Sequence, residues 1–184
     1  MAPHGTGNRR GIRADARLVF ASDRSGHGDI YRLQLKGDAP AGTPERLTSS
    51  DEMESEPAIA GGTVYFVRGA GSQARIYRLS TDGTAERLTK ANAPERWPAA
   101  SPTGDRTAYV QPGESGRRVH IRWLTSDKDS VVISDRAAER VSFSPDGERL
   151  VFHSTTPRDG VRLVGGRPLH QSGQHETRRP DLEC

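Results

Sequence analysis

SFSPDGERLVFHS, residues 142–154, contains the most informative pattern of this chain. Two short runs rich in apolar residues flank a Ser-Pro-Asp-Gly corner at 144–147. Proline presets the backbone of the first central turn position, aspartate tolerates the second, and glycine takes the left-handed position that follows. The stretch is therefore typical of a β-hairpin closed by a short turn.

The same pattern recurs along the chain at a steady spacing. AASPTGDRTAYV (99–110) precedes SFSPDGERLVFH by 43 residues, and DIYRLQL (29–35) returns after 46 residues as RIYRLST (75–81). PERLT (44–48) returns after 41 residues as AERLT (85–89). Each unit contains about four short strands bounded by turn signals, and helical periodicity is nowhere sustained. The repeat therefore predicts an all-β fold built from similar small sheets.

The corner residues are interpreted as turn formers and not as catalytic groups. Structural roles are assigned to Ser101, Pro102, Gly104, Ser144, Pro145, Asp146 and Gly147. Thr103 stands in the earlier corner where the later corner has Asp146, and the second unit uses Gly61 and Gly62 instead. Because the other repeat units lack an acid at this position, Asp146 is not expected to be catalytic. It is expected to stabilise its own turn.

Composition and charge exclude several classes of protein. The chain has 184 residues, 27 bases and 24 acids, but nine of the bases and five of the acids lie outside 18–156. The repeat region therefore has a net charge of −1, which argues against a nucleic-acid-binding domain. Cys184 is the single cysteine, so neither an internal disulfide nor a cysteine-based metal site is expected. No apolar run approaches the length of a membrane span, so membrane insertion is not expected either.

No catalytic, cofactor or metal site is predicted. The sequence contains neither the Gly-x-Ser-x-Gly nucleophile motif nor the His-Glu-x-x-His zinc motif. Asp23, His27 and Asp29 lie close together in one loop, and these residue types are those that bind a cation or act as an acid–base set. The second unit keeps the glycines of this loop and drops the acids, so the loop is interpreted as a hairpin connection. The acidic run at 51–56 is interpreted as a solvated linker between units.

With these motifs laid out, the chain resembles the TolB-like, or WD-repeat-like, β-propeller family. The blade signature of that family combines a Ser-Pro-Asp-Gly corner, an apolar strand with a Ser-x-Arg-x-Gly loop, an Ile-Tyr strand and a Leu-Thr edge. These features lie at 144–147, 18–24, 30–31, 76–77, 47–48 and 88–89. The resemblance covers about 18–156 and implies four-stranded antiparallel blades, six of which commonly close a ring.

We therefore expect a partial β-propeller of three to three and a half blades at 18–156. A flexible flank at 1–17 and a disordered tail at 157–184 are expected on either side. The predicted inter-blade core comprises Phe20, Phe66, Tyr109, Phe143, Phe152, Ile30, Ile76 and Ile121. Because an open arc exposes strand edges, the chain is expected to be part of a longer propeller, to self-associate through those edges, or to be capped by a partner.

The resemblance implies a non-catalytic binding or scaffold module that recognises a protein or peptide through its blades. Partners of such modules are often bacterial cell-envelope proteins, which implies a periplasmic or other extracytoplasmic location. The alternative is the propeller of a prolyl-oligopeptidase-type serine peptidase, separated from its catalytic domain. A Gly-x-Ser-x-Gly motif encoded downstream would favour that alternative.

Overall fold

The described part of the chain folds as four antiparallel sheets of three or four strands. The computed structural model describes residues 16–113, 116–126, 128–132, 138–154 and 162–164. Within those residues the only helical element is a short 3-10 turn at Gly71–Gln73. Each sheet consists of strands that follow one another in the chain, which is the arrangement expected of propeller blades. The predicted all-β fold with antiparallel blades is thus confirmed.

The strands are numbered here in chain order, sheet by sheet. The first sheet contains β1 (Arg17–Ser22), β2 (Asp29–Lys36) and β3 (Ala39–Arg46). The second contains β4 (Glu54–Ala60), β5 (Thr63–Arg68), β6 (Arg75–Leu79) and β7 (Ala85–Arg87). The third contains β8 (Arg96–Ala100), β9 (Arg106–Gly113), β10 (Gly116–Trp123) and β11 (Lys128–Val132). The fourth contains β12 (Ala138–Phe143), β13 (Leu150–Ser154) and β14 (Arg162–Val164).

Three of these strands, β4, β8 and β12, open the second, third and fourth sheets and are called the leading strands. Each leading strand forms one edge of its sheet, and β4 contacts β8 as β8 contacts β12. The sheets therefore fan out from a row of adjacent leading strands. The first described sheet starts instead with β1, whose sequence LVFAS matches the LVFHS of β13, the second strand of its sheet.

The Ser-Pro corners join a leading strand to the next strand in the same way. The Gly104 N–H donates to the Ser101 carbonyl oxygen at 2.9 Å, and the Gly147 N–H donates to the Ser144 carbonyl oxygen at 2.8 Å. Gly104 and Gly147 have φ values of 72° and 74°, a left-handed conformation that costs glycine little because it lacks a Cβ atom. The repeated corner thus fixes the direction in which each second strand leaves its leading strand.

Consecutive sheets stack face to face over three apolar clusters. Ile30 of the first sheet packs with Val64 and Phe66 of the second, and Ile76 of the second packs with Tyr109 of the third. The largest cluster joins the third and fourth sheets, and its buried members are Ala99, Ala108, Val110, Val119, Ile121, Ala138, Val141, Leu150 and Phe152. A sheet of this size cannot bury both faces alone, so stacking supplies most of the stabilisation.

Burial largely follows the predicted core, with two exceptions. The buried members of the predicted set are Phe66, Tyr109, Phe152, Ile30, Ile76 and Ile121. Phe20 and Phe143 are only partly buried. Val19 packs between the first and second sheets, and side chains alternate along a strand, so Phe20 points to the opposite face of the first sheet. Among the described residues, no sheet stacks on that face.

The strand boundaries differ from the expected domain boundaries. β1 begins at Arg17, and β14 lies at 162–164, inside the segment predicted to be a disordered tail. Apart from Ala16, the rest of both predicted flanks lies outside the described residues, so their disorder stays a prediction. The interpretation of 51–56 as a solvated linker is wrong at Glu54, which opens β4 and is 1% exposed. Arg68 compensates its buried charge.

Candidate binding pocket at the leading strands

Each leading strand contains a β-bulge at the same repeat position. The bulged residues Glu56, Trp97 and Arg140 have φ values of 53°, 52° and 51°. A left-handed conformation costs a non-glycine residue about 1–3 kcal/mol and persists only where the surrounding structure enforces it. The three residues are 41 and 43 positions apart, so the strain follows the repeat.

Charged side chains link the leading strands through these bulges. The Glu56 carboxylate accepts hydrogen bonds from the Trp97 N–H at 2.7 Å and from Arg96 Nε at 2.9 Å. The guanidinium groups of Arg96 and Arg117 lie 5.7 and 5.4 Å from the centroid of the Trp97 ring. Arg117 also forms an ion pair with Glu139 of β12. This network therefore holds the three leading strands in register, and both arginines are neutralised within it.

Two buried glutamates fix the beginnings of β4 and β8. The Glu54 carboxylate accepts a hydrogen bond from Arg68 Nε at 2.9 Å and forms an ion pair with Arg68 Nη2 at 2.7 Å. Glu95, the residue before β8, accepts hydrogen bonds from the Ile76 N–H at 3.0 Å and from Gln111 Nε2 at 2.9 Å. Both carboxylates therefore bind strands of their own or the preceding sheet, which identifies them as structural groups.

Beyond the bulges, the ends of the leading strands surround an open pocket of about 320 Å³. Ile59, Ala100 and Phe143 occupy the same repeat position and all line the pocket, together with the corner residues Pro102 and Pro145. Proline has no N–H group, so these two positions offer no backbone donor. The pocket is therefore suited to an apolar segment, and its volume lies at the lower end of the range of known ligand sites.

Two aspartates at the corners beside the pocket have lowered pKa values. Burial alone would raise the pKa of Asp105, but hydrogen bonds from two hydroxyl groups of its corner and the charge of Arg106 outweigh it and lower the pKa. Hydrogen bonds from the Ser144 hydroxyl and the Glu148 N–H lower the pKa of Asp146. A carboxyl group that stays ionised in this way is poorly suited to donate a proton near neutral pH.

The seven corner residues named from the sequence lie in two places in the structure. Ser101, Pro102 and Gly104 join β8 to β9, and the other four join β12 to β13. Pro102, Ser144 and Pro145 also line the pocket, a role that the turn pattern alone does not suggest.

The polar residues of the first loop do not form a common site. Asp29 is fully buried, and its carboxylate binds Arg46 Nη2 at 2.8 Å and the Ser25 hydroxyl. Asp23 and His27 are exposed. The arrangement agrees with the interpretation of this loop as a hairpin connection. Across the described residues, no three histidine, cysteine, aspartate or glutamate side chains come together to hold a metal ion.

The repeat, the corners and the stacked sheets agree with a family assignment. A family model described as the TolB beta propeller domain matches residues 14–165. The chain belongs to this TolB family. No curated protein matches it in sequence. In the part of the TolB-type chain that the structure describes, no helix is long and apolar enough to cross a membrane.

Solved structures share the TolB-type fold at low sequence identity. TolB from Acinetobacter baumannii has a TM-score of 0.63 and 16% identity, over 84% of this chain and 38% of that chain. A TolB-like protein from Agrobacterium tumefaciens has a TM-score of 0.64 and 20% identity, over 78% of this chain and 52% of that chain. A third structure, of a prolyl endopeptidase, has a TM-score of 0.54 and 15% identity, over 86% of this chain and 29% of that chain. The chain thus spans about half or less of the length of each.

Neither the pocket nor the burial of Glu54 and Glu95 is predicted by the sequence motifs. Each carries a signal that an alignment of the repeat units would reveal. Glu54 and Glu95 both stand three residues before a proline. Ile59, Ala100 and Phe143 stand at one position of three consecutive units. Residues that share a repeat position in adjacent blades converge in space, which a search for single motifs does not test.

Proposed function

We propose that this TolB-type chain is a non-catalytic binding module that holds an apolar segment of a protein partner in the leading-strand pocket. The observation that supports this proposal is the convergence of Ile59, Ala100 and Phe143 on one open pocket of about 320 Å³. Ile59 is 37% exposed, and it lines the pocket together with Phe143, Pro102 and Pro145, so its exposed side chain belongs to a largely apolar lining and is not isolated.

The chemistry around the pocket favours binding over catalysis. Arg96 and Arg117 are neutralised by Glu56 and Glu139, and Asp105 is engaged in its own corner. None of these groups is poised as a nucleophile or as a proton donor. Membership of the TolB family favours a protein as the partner, in the periplasm or another extracytoplasmic compartment.

Selection of short random peptides displayed on phage, with the purified chain as the target, tests the proposal. We expect the recovered peptides to be rich in apolar residues and to lose binding to Ile59→Asp, because a carboxylate would be desolvated in the pocket. Arg78→Ala is the matched control, since Arg78 pairs with Glu86 on the second sheet, away from the pocket. Recovered peptides that bind wild type and Ile59→Asp equally would contradict the proposal.

The similarity to prolyl endopeptidases favours a second function. In that case the chain is the propeller that accompanies a serine-hydrolase domain. The DNA downstream of codon 184 would then encode Gly-x-Ser-x-Gly followed by an aspartate and a histidine. Peptidase activity of the longer product, abolished when that serine is changed to alanine, would support this alternative and count against a purely non-catalytic role.

A further inference from the structure

Among the described residues, one edge of β1 in the first sheet has no strand partner. In the second sheet, β5 pairs with β4 on one side and with β6 on the other. β1 holds the position of β5, yet among the described residues it pairs only with β2. The backbone N–H and C=O groups on its other side are therefore a template for an added strand.

In the second sheet, an arginine stacks on two aromatic rings and forms an ion pair with a glutamate of the leading strand. The ring centroids of Phe66 and Tyr77 are 5.9 Å apart, and the Arg68 guanidinium lies 4.4 Å from the Tyr77 centroid. The same guanidinium donates a hydrogen bond to the fully buried Glu54 carboxylate and forms an ion pair with it. Glu54 and Arg68 are partners across the β4–β5 pair, so the ion pair forms together with the strand pairing.

The first sheet contains the same rings and an arginine, without the acid. The ring centroids of Phe20 and Tyr31 are 5.8 Å apart, and the Arg24 guanidinium lies 4.7 Å from the Tyr31 centroid. Within the described residues, the Arg24 side chain donates one hydrogen bond, to the Ser22 hydroxyl at 3.0 Å, and forms no ion pair. Leu18, earlier on the same strand, is 48% exposed. Within the described residues, a charged contact just after β1 and an apolar contact on β1 are therefore both left open.

We propose that the β1 edge binds an extended protein segment in which an acid precedes a proline and small apolar residues. Two of the three leading strands supply the pattern, since β4 reads ESEPAIA from Glu54 and the segment of β8 reads ERWPAA from Glu95. β12 has alanine and valine at the positions of the acid and the proline. An added antiparallel strand of this kind contributes main-chain hydrogen bonds, and its alternate side chains provide specificity.

The register of β4 on β5 predicts the contacts of the added strand. Ile59 is the partner of Val64, and Val64 stands 46 residues after Leu18. The isoleucine of the bound segment therefore lies opposite Leu18, and the acid at the position of Glu54 lies opposite Ser22. There it faces the Arg24 guanidinium, which stacks on Tyr31 as Arg68 stacks on Tyr77. The β1 edge contributes no residue to the leading-strand pocket, so this inference does not depend on the proposed function.

A fluorescently labelled peptide, DEMESEPAIAGG (51–62), titrated with the full chain tests the inference. We expect saturable binding that weakens about tenfold or more when the peptide carries Glu54→Gln or the chain carries Arg24→Ala, because both remove a charged hydrogen-bonded pair. The matched controls are a peptide with Glu56→Gln and a chain with Arg78→Ala, both of which should bind as the originals do. Hydrogen exchange should show new protection of the β1 amides.

Four results would overturn the inference. The first is no saturable binding at millimolar peptide, and the second is equal binding of the Glu54→Gln peptide or of the Arg24→Ala chain. Binding that is lost in Arg68→Ala but kept in Arg24→Ala would mean that the peptide replaces β4 on β5. Binding that requires removal of residues 1–15 would mean that the chain itself occupies the edge, and this too would overturn the inference.

Discussion

The Glu95 carboxylate accepts hydrogen bonds from three donors on different strands and loops. Replacement of Glu95 by alanine leaves all three donors without this acceptor. The Glu95 side chain is fully buried. It accepts hydrogen bonds from the Ile76 N–H at 3.0 Å, from Gln111 Nε2 at 2.9 Å and from the Thr89 hydroxyl. The glutamate thereby ties the second sheet to the third at the point where β8 begins.

The cost of Glu95→Ala follows from the donors left unpaired. The Thr89 hydroxyl can rotate towards another acceptor, but the Ile76 N–H and the Gln111 amide stay buried and unsatisfied. Each such donor costs about 1–3 kcal/mol, so we expect the free energy of unfolding to fall by about 2–6 kcal/mol. That is a large part of the ~5–15 kcal/mol typical of a folded domain. Glu95→Gln keeps one acceptor oxygen and should cost about 1–2 kcal/mol.

Urea unfolding at neutral pH, followed by the fluorescence of Trp97 and Trp123, measures these losses. Glu45→Ala is the control, because Glu45 is 60% exposed in its ion pair with Arg32 and should contribute less than about 1 kcal/mol. If Glu95→Ala unfolded at the same urea concentration as Glu45→Ala, the buried acceptor would not stabilise the stacked sheets and the reasoning would be refuted.

Three other predictions test the stacking of the sheets, a close backbone contact at Gly28 and the ionisation of the Asp105 carboxyl group. Phe66→Ala should cost about 3–5 kcal/mol by urea unfolding, whereas the repeat-equivalent Phe20→Ala should cost about 1 kcal/mol, because Phe20 lies partly buried on the open face. Gly28→Ala should cost about 1–3 kcal/mol, since a Cβ atom there would lie 2.7 Å from the Glu54 carbonyl oxygen. The lowered pKa of Asp105 means that its carboxylate stabilises the fold above its ordinary pKa of 3.8, and that this contribution is lost as the pH falls through the lower folded value. Between about pH 6 and pH 3, Asp105→Asn should therefore lose less stability than wild type.

Each of these changes has an outcome that would count against its physical reason. Equal losses for Phe20→Ala and Phe66→Ala would contradict the difference in burial between the two faces. Wild-type stability of Gly28→Ala would mean that β4 moves away without cost. Parallel pH profiles for wild type and Asp105→Asn would mean that the corner hydrogen bonds do not favour the ionised carboxyl group.

Much of the fold could be predicted because strands and turns are specified locally. The corner at 144–147 and the Ile-Tyr strands at 30–31 and 76–77 are recognisable from neighbouring residues alone. The stacking of sheets then follows, because a small sheet with two apolar faces needs neighbours. Phe20 departs from the predicted core because stacking requires a sheet on each side, and among the described residues the first sheet has one neighbour.

The candidate pocket could not be predicted from any single motif, because its residues come from different units. Ile59, Ala100 and Phe143 meet only after three sheets have stacked. The acidic run at 51–56 illustrates the same point. Its composition indicates solvent exposure, yet the β4–β5 pairing brings Glu54 opposite Arg68 and allows the carboxylate to be buried.

Glu56, Trp97 and Arg140 share one backbone conformation although they are an acid, an aromatic residue and a base. Duplication of a unit copies the bulge together with its strain, whereas the side chain at that position is free to diverge. Each new copy therefore brings a chemically different group to a fixed place. Specificity in such a molecule can evolve one residue at a time, with no change of architecture.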